Sequence, residues 1–361
     1  MYYNDRKGPS GTDRFKPRSN DNRDNSSRGG GRDHSSDSDQ GVPNPYESYS
    51  CKGNLGLLYT RRYYNEIDEN VLDGRKITIN SPNGGKPIKT DYQTLYYNSR
   101  NSNIIRQARR APLSSSALIS GATPLPLETT YPGLLTGVGI PHGTGHNGEA
   151  KLGLVFDHTT GLPYIPGSSV KGLLRSVFPL QDEELAEKYD RNAKDYEKKN
   201  KQDKANECKA KAKALRLQAG EKRNWIVKLL DNKISTDQVD DLERSIFVGE
   251  EIDKKTGELC FVSQRDIFFD ALPTAMSRNG LLGLDFITPH KNNEFKDPTP
   301  IQFMRIEPGV TFRFEFSLRD SQCRGEILCD KETKRDLFEK ILTTVGIGAK
   351  TNVGYGQLKS E

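Results

Sequence analysis

Apolar positions are spread unevenly along the chain. From Met1 to about Ser50 they are nearly missing: the segment runs on Asp, Arg, Asn, Ser and Gly, as in NDNRDNSSRGGGRDHSSDSDQ, and its small apolar surface cannot offset the entropy of ordering. Residues 1–50 are therefore predicted as a disordered tail. Order is expected from NLGLLYTRRYYNEID, where Leu55, Leu57, Leu58 and Tyr59 anchor a short element. A turn-rich stretch, SPNGGKP, separates it from NSNIIRQARRAPL, which sets Arg106, Arg109 and Arg110 at helical spacing. Residues 51–124 read as an N-terminal extension.

A strand is expected in LETTYPGLLTGVGI and a helix in PGSSVKGLLRSVF, where Pro, Gly and Ser precede an apolar periodic run. Over 181–224 the composition turns to Lys, Glu, Ala and Gln, which predicts one or two protruding helices inserted over 180–244. Trp225, Ile226, Leu229 and Leu230 then return a helix to the core. TPIQFMRI and VTFRFEFSL flank Glu307-Pro308-Gly309, and Phe312, Phe314 and Phe316 alternate with Arg313 and Glu315, which predicts a β-hairpin with one apolar face. KETKRDLFEKILTTV is an amphipathic helix on Leu337, Phe338, Ile341 and Leu342, and a glycine-rich loop leads from it to a last strand. In order this is βαββαβ, an α+β chain of ferredoxin-like (RRM-type) topology over 125–361.

Composition narrows the class. The 361 residues carry 54 Lys plus Arg against 49 Asp plus Glu, a net +5, so any anionic partner must be argued from where charge sits. Mean hydropathy is −0.77 and no apolar run would cross a bilayer, so no membrane is expected. MYYNDRKGPSGTDRF lacks the apolar stretch of a secretion signal. Five cysteines (Cys51, Cys208, Cys260, Cys323 and Cys329) form no CxxC pair, which argues against a disulfide framework or a zinc ribbon and predicts a reducing cytoplasm.

Two segments carry candidate chemistry. In Gly346-Ile-Gly-Ala-Lys-Thr-Asn-Val-Gly-Tyr-Gly356 the glycines surround Lys350, Thr351 and Asn352, and exposed amides beside a lysine can hold phosphates. The spacing is neither Walker A nor GxGxxG, and a loop serving only helix-to-strand packing is the plain alternative. In the second, Ser168 or Ser169 would cap the helix start, with Lys171 and Arg175 one turn apart, an anion site by construction. Ser168-x-x-Lys171 and Lys255-Thr256-Gly257 also match acyl-enzyme motifs, but no SDN-like element accompanies them. His142, His146 and His158 cluster, yet Gly143 and Gly145 preclude a metal-binding helix, and no metal or cofactor is expected. The lysine-rich insertion and the Arg and Gly of the tail suit contact with RNA, though solvated surfaces explain both.

Taken together, YPGLLTGVGIPHG, TGLPYIPGSSVKGLLRS and GIGAKTNVGYGQL resemble the RAMP superfamily of CRISPR-associated proteins. FFDALPT, LDFITPH and TPIQFMRIEPG narrow the likeness to the sixth-subunit family of type III-B Cmr effector complexes, over roughly 128–178 and 246–359. The resemblance implies a ferredoxin-like palm with a β-hairpin thumb over 246–298. It also implies a place near the end of a subunit filament in antiviral defence, holding the 3′ part of a CRISPR RNA beside other RAMP subunits, with target RNA reached indirectly. By that analogy Ser168, Ser169, Lys171, Gly346, Gly348, Lys350, Thr351, Asn352 and Tyr355 face RNA; Arg175 is expected to hold phosphate with Lys171, and His142 to be structural or in contact with RNA. Phe268, Phe269, Met276, Arg278 and His290 supply the thumb and a subunit contact, and Tyr355 or Met276 stacks on or wedges between bases, a contact worth about 1–3 kcal/mol per base. Phosphate contacts add salt-dependent affinity without sequence preference, which a holder of variable guides needs.

One departure bears on catalysis. Target-cutting relatives carry an aspartate just before the TGLPYIPG stretch; Lys151 stands at that place and Glu149 is displaced from it. A ribonucleoprotein subunit without chemistry of its own is therefore expected. The alternative is a metal-independent endoribonuclease processing CRISPR RNA with His142 or His146 as general base.

Overall fold

The computed structural model describes residues 41–114, 119–137, 142–151, 153–288 and 300–360. Ordered backbone begins before the predicted tail boundary. Val42 hydrogen-bonds across to Thr78 and Asn80, and the Tyr46 ring meets Tyr92 and Tyr96 edge-on. Residues 41–50 therefore belong to the fold, because Tyr46 and Tyr49 supply apolar anchors that the polar composition conceals. Residues 1–40 lie outside the described residues.

The N-terminal extension comprises α1 (Leu55–Thr60), α2 (Glu69–Leu72), the hairpin β1 (Lys76–Ile79) and β2 (Ile88–Asp91), and α3 (Tyr92–Ala108). Asn54, Asp68 and Asp91 cap the three helices, each accepting from the backbone amide of the third helical residue. Arg106 ends in α3, whereas Arg109 and Arg110 fall just beyond it.

Next in the chain come β3 (Thr123–Thr129), α4 (Gly167–Ser176), α5 (Leu180–Lys198), α6 (Gln202–Leu229) and α7 (Gln238–Glu243). The hairpin β4 (Glu250–Ile252) and β5 (Leu259–Phe261) follows, then β6 (Ile267–Phe268), β7 (Leu272–Ala275), β8 (Leu282–Ile287), β9 (Ile301–Ile306) and β10 (Thr311–Ser317). The chain closes with the hairpin β11 (Ser321–Cys323) and β12 (Glu326–Cys329), α8 (Lys331–Val345) and β13 (Leu358–Ser360). Runs of helices and runs of strands thus make a mixed α and β architecture.

The central antiparallel sheet runs β13, β3, β10, then β6 and β7. The sheet's last strand in sequence, β13, lies beside its first, β3, and β10 lies between β3 and the β6 and β7 strands. Phe312, Phe314 and Phe316 of β10 are buried, and Phe316, Phe268 and Phe338 of α8 meet ring to ring.

Two strand expectations are corrected. The strand expected over 127–140 begins at Thr123 and stops at Thr129, because Tyr131 to Gly137 turn away as a loop. The hairpin expected between the strands around Glu307 does not form: β9 pairs with β8, and β10 pairs with β3. Thr129 of β3 fills the turn instead. Its amide donates to Val310 O, its hydroxyl to Glu307 O, and its carbonyl accepts from Gly309. Nor is β10 apolar on one face and wet on the other, since Arg313 and Glu315 are buried and form an ion pair at 2.6 Å.

The inserted helices are present as an antiparallel pair, α5 against α6. Ile226 and Leu230 bury against the core at its root, with Trp225 and Leu229 packed beside them. Among the described residues no helix is long and apolar enough to cross a membrane, and no group of side chains is placed to hold a metal ion.

Candidate nucleic-acid interface

The glycine-rich loop after α8 is locked to the loop after β3, backbone against backbone. Ile347 N donates to Gly356 O, Ala349 N to Leu135 O and Gly356 N to Gly133 O, each at 2.8 Å. A Cβ at Gly348 would run into Leu135 O, and one at Gly356 into Ile347 O. Both residues hold φ angles, +99° and +76°, that favour glycine. These glycines, with Gly346 against Gly356 O, serve close approach to the protein's own backbone, so the plain packing explanation accounts for them.

Lys350 follows in the left-handed region (φ +61°) and opens a short 3-10 turn over Thr351–Val353. Lys350 and Thr351 are half-buried and Asn352 is exposed, so all three remain accessible. Lys350 has no ion pair among the described residues.

Tyr355 does not present its ring for stacking. It is buried against Leu135 and Phe303, and its hydroxyl donates to Asp285 Oδ2 at 2.8 Å. Burial, then the Asp285 carboxylate, raises its pKa and keeps the phenol protonated.

At α4 the cap differs from the expected one. The N-cap residue is Pro166, Ser168 and Ser169 lie inside the helix without capping it, and Asp270 Oδ1 accepts from Gly167 N at 2.7 Å. A carboxylate thus already occupies the positive end of this helix. Gly167 is required because a Cβ there would meet Phe268 O. Lys171 lies beside the Phe268 ring, 5.9 Å from its centroid, and burial with Arg175 and Arg265 nearby lowers its pKa. Arg175 is partly engaged inward: its Nε lies 3.6 Å from the fully buried Glu243, while the side chain stays partly exposed.

A groove of 370 Å³ brings these segments together. It is lined by Thr136 and Gly137 after β3, Ser169 and Leu173 of α4, and Ile347, Gly348 and Ala349 of the glycine loop. Lys350 stands next in the chain to this lining. Sequence reasoning missed Thr136 and Gly137 as lining residues and Asp270 and Asp285 as holding groups; a positive φ of 75° at Gly137 is the signature a glycine there allows.

His142 is a core residue rather than an RNA contact. Its ring stacks between Tyr59 and Tyr63, 4.2 and 3.9 Å between centroids, and its nitrogens lie 2.9 Å from Ala150 O and 2.8 Å from Tyr59 O. Burial lowers its pKa, opposed by those two carbonyls. His146 Nδ1 lies 3.0 Å from the Tyr97 hydroxyl. Glu149 is buried and accepts from Tyr64 Oη and from the amides of Thr144 and Gly145. Lys255 and Thr256 form the β4–β5 turn around Asp253.

The segment expected as thumb is divided. Phe268 belongs to edge strand β6 and packs among Phe247, Phe316 and Phe338, while Phe269 donates its amide to Glu315 O. Met276 packs partly buried against the core rather than projecting as a wedge. Arg278 is exposed, and His290 lies outside the described residues.

Comparison with known proteins agrees with the motif resemblance. The chain is 30% identical over 219 residues to the CRISPR system Cmr subunit Cmr6 of Pyrococcus furiosus, a match covering 55% of this chain and 58% of that relative. Among solved structures, a type III-B Cmr-beta complex bound to cognate target RNA aligns over 84% of both chains at 18% identity with a TM-score of 0.36. The crystal structure of Cmr6 from Pyrococcus furiosus aligns over 66% of this chain and 98% of that one at 22% identity with a TM-score of 0.35. The RAMP superfamily model matches residues 126–359, from within β3 to within β13 and so across the whole central sheet and the groove beside it, and the chain belongs to the RAMP superfamily.

Proposed function

We propose that this protein is an RNA-holding subunit, without chemistry of its own, of a type III-B CRISPR effector complex. In this reading the central sheet is a ferredoxin-like palm, the β8–β9 hairpin is the thumb, and the chain caps the backbone filament in the cytoplasm while holding the 3′ part of the CRISPR RNA. The observation that carries the proposal is the shared groove. Segments far apart in sequence, α4 and the glycine loop, meet there with the accessible Lys350 next to them in the chain. Phosphates held by a lysine and amides give affinity indifferent to sequence. Several features favour a non-catalytic role: both His142 nitrogens face backbone carbonyls, Glu149 is engaged by three donors, and a lysine stands at position 151.

The test is purification of the tagged chain from its native cell at gentle salt, with sequencing of bound RNA and identification of bound proteins. Short RNAs sharing a repeat-derived 5′ tag, together with other RAMP subunits, are expected. In the same preparation Lys350→Glu should weaken RNA retention without unfolding the chain. Full retention by that variant removes the groove assignment, and recovery without RNA removes the function.

A further inference from the structure

The helical pair α5–α6 carries a charge pattern that the groove leaves unused. Its helices close on small side chains: Ala186 and Ala193 from α5, and Ala205, Cys208, Ala212 and Ala219 from α6, are all buried. Small residues let two axes approach closely and stiffen the pair, and the 28 residues of α6 give an arm of about 42 Å.

Charge is sorted along this arm. The root, residues 180–193 and 214–230, holds six acidic and six basic side chains. Ion pairs join many of them, Lys222 to Asp182 at 2.7 Å, Arg223 to Glu183 at 3.0 Å and Arg216 to Asp190 at 2.5 Å. The tip, residues 194–213, holds eight lysines against four carboxylates, so +4 of the chain's +5 resides there. Lys209 and Lys211 pair with Glu197 and Glu207. Lys194, Lys198, Lys199, Lys201, Lys204 and Lys213 are exposed and have no ion pair among the described residues.

We propose that this tip is a second nucleic-acid contact, a docking surface for a phosphate backbone read without regard to sequence. Protein-binding surfaces are centred on aromatic, Met and Arg side chains and are poor in lysine. The tip has the opposite make-up: its basic side chains are all lysine, and none of the chain's exposed large apolar side chains lies within it. Unpaired ammonium groups on flexible stems suit phosphates at varied spacing. The proposal does not depend on the groove.

The experiment measures binding of a fluorescein-labelled oligouridylate to the full chain by anisotropy across a KCl series. Replacing the six unpaired lysines with Gln should weaken binding by about tenfold or more at low salt, and should flatten log Kd against log salt by about 0.7 for each phosphate that no longer meets an ammonium group. Circular dichroism should stay unchanged, since these side chains are exposed and Gln is a fair helix former. The corresponding Arg set should bind as the parent does. Unchanged affinity and slope in the Gln set overturn the proposal. Lys350→Glu run in parallel separates the two sites: weaker binding in that variant alone leaves the groove and overturns the tip, and weaker binding in the Gln set alone does the reverse. A labelled polyglutamate that binds the parent while oligouridylate does not would overturn the proposal in favour of an acidic protein. Slowed amide exchange over 194–213 when RNA is added is a second expected result that needs no variant.

Discussion

The hydroxyl of Tyr355 donates to Asp285 Oδ2 at 2.8 Å and so fastens the glycine loop to the β8–β9 hairpin. The Arg305 Nε lies 3.3 Å from the same oxygen, and Arg305 also donates to Pro132 O in the loop after β3. One carboxylate thus gathers three segments behind the groove wall.

Replacing Tyr355 with Phe keeps the ring packed on Leu135 and Phe303 but removes the donor. Loss of a bond to a charged acceptor is expected to cost about 1.5–3 kcal/mol, read as a lower denaturant midpoint at unchanged slope. A midpoint equal to that of the parent would show that the bond holds nothing together.

Glycine is needed at 348 for two reasons, the close Leu135 carbonyl and the positive φ, so Gly348→Ala should lower stability by more than about 2 kcal/mol and abolish RNA retention. Gly143, where a Cβ would meet nothing within 4 Å, is the control: Gly143→Ala is expected to stay within about 0.5 kcal/mol of the parent. Thermal melts of the two variants side by side check the contrast.

Burial holds the Glu243 carboxyl at about 7, up from 4.5, against the Leu180 amide and the Arg175 guanidinium, which pull it down. Between those values the folded chain keeps a proton that the unfolded chain has released. The stability owed to this group is therefore fully present below pH 4.5 and is lost as pH rises towards 7. Glu243→Gln should remove that slope and melt higher than the parent at about pH 8. A parent melting curve that climbs with pH over this window, with the variant tracking it, would rule the assignment out.

Much of the fold was legible because periodicity survives wherever one face is buried. The helix at 331–345 and the return of Ile226 and Leu230 to the core follow from spacing alone. The strand pairing did not follow. Turn chemistry at Glu307-Pro308-Gly309 fits a hairpin, yet Thr129, distant in sequence, competes for the same backbone groups and wins. Site residues were harder to read for a similar reason. A serine before a helix and a histidine near glycines look available in one dimension; Asp270 and the Tyr59–Tyr63 pair, which engage the α4 start and His142, become visible only after folding. The glycines near Lys350 marked the right place, though what they admit is Leu135 and Ile347 of the chain itself.

The ring of His142, sandwiched by Tyr59 and Tyr63 and reaching Ala150 on its far side, has a consequence for where this protein can be cut. The superfamily match starts at residue 126, whereas the side chains that close the core around the 142–156 loop come from upstream of it. A fragment begun at that boundary would expose one flank of Phe156 and leave the imidazole and Glu149 without their phenol neighbours. The evolutionary unit is therefore shorter than the thermodynamic one, and the aromatic residues of 59–64 and 97 are inseparable from the two thirds of the chain that defines the family.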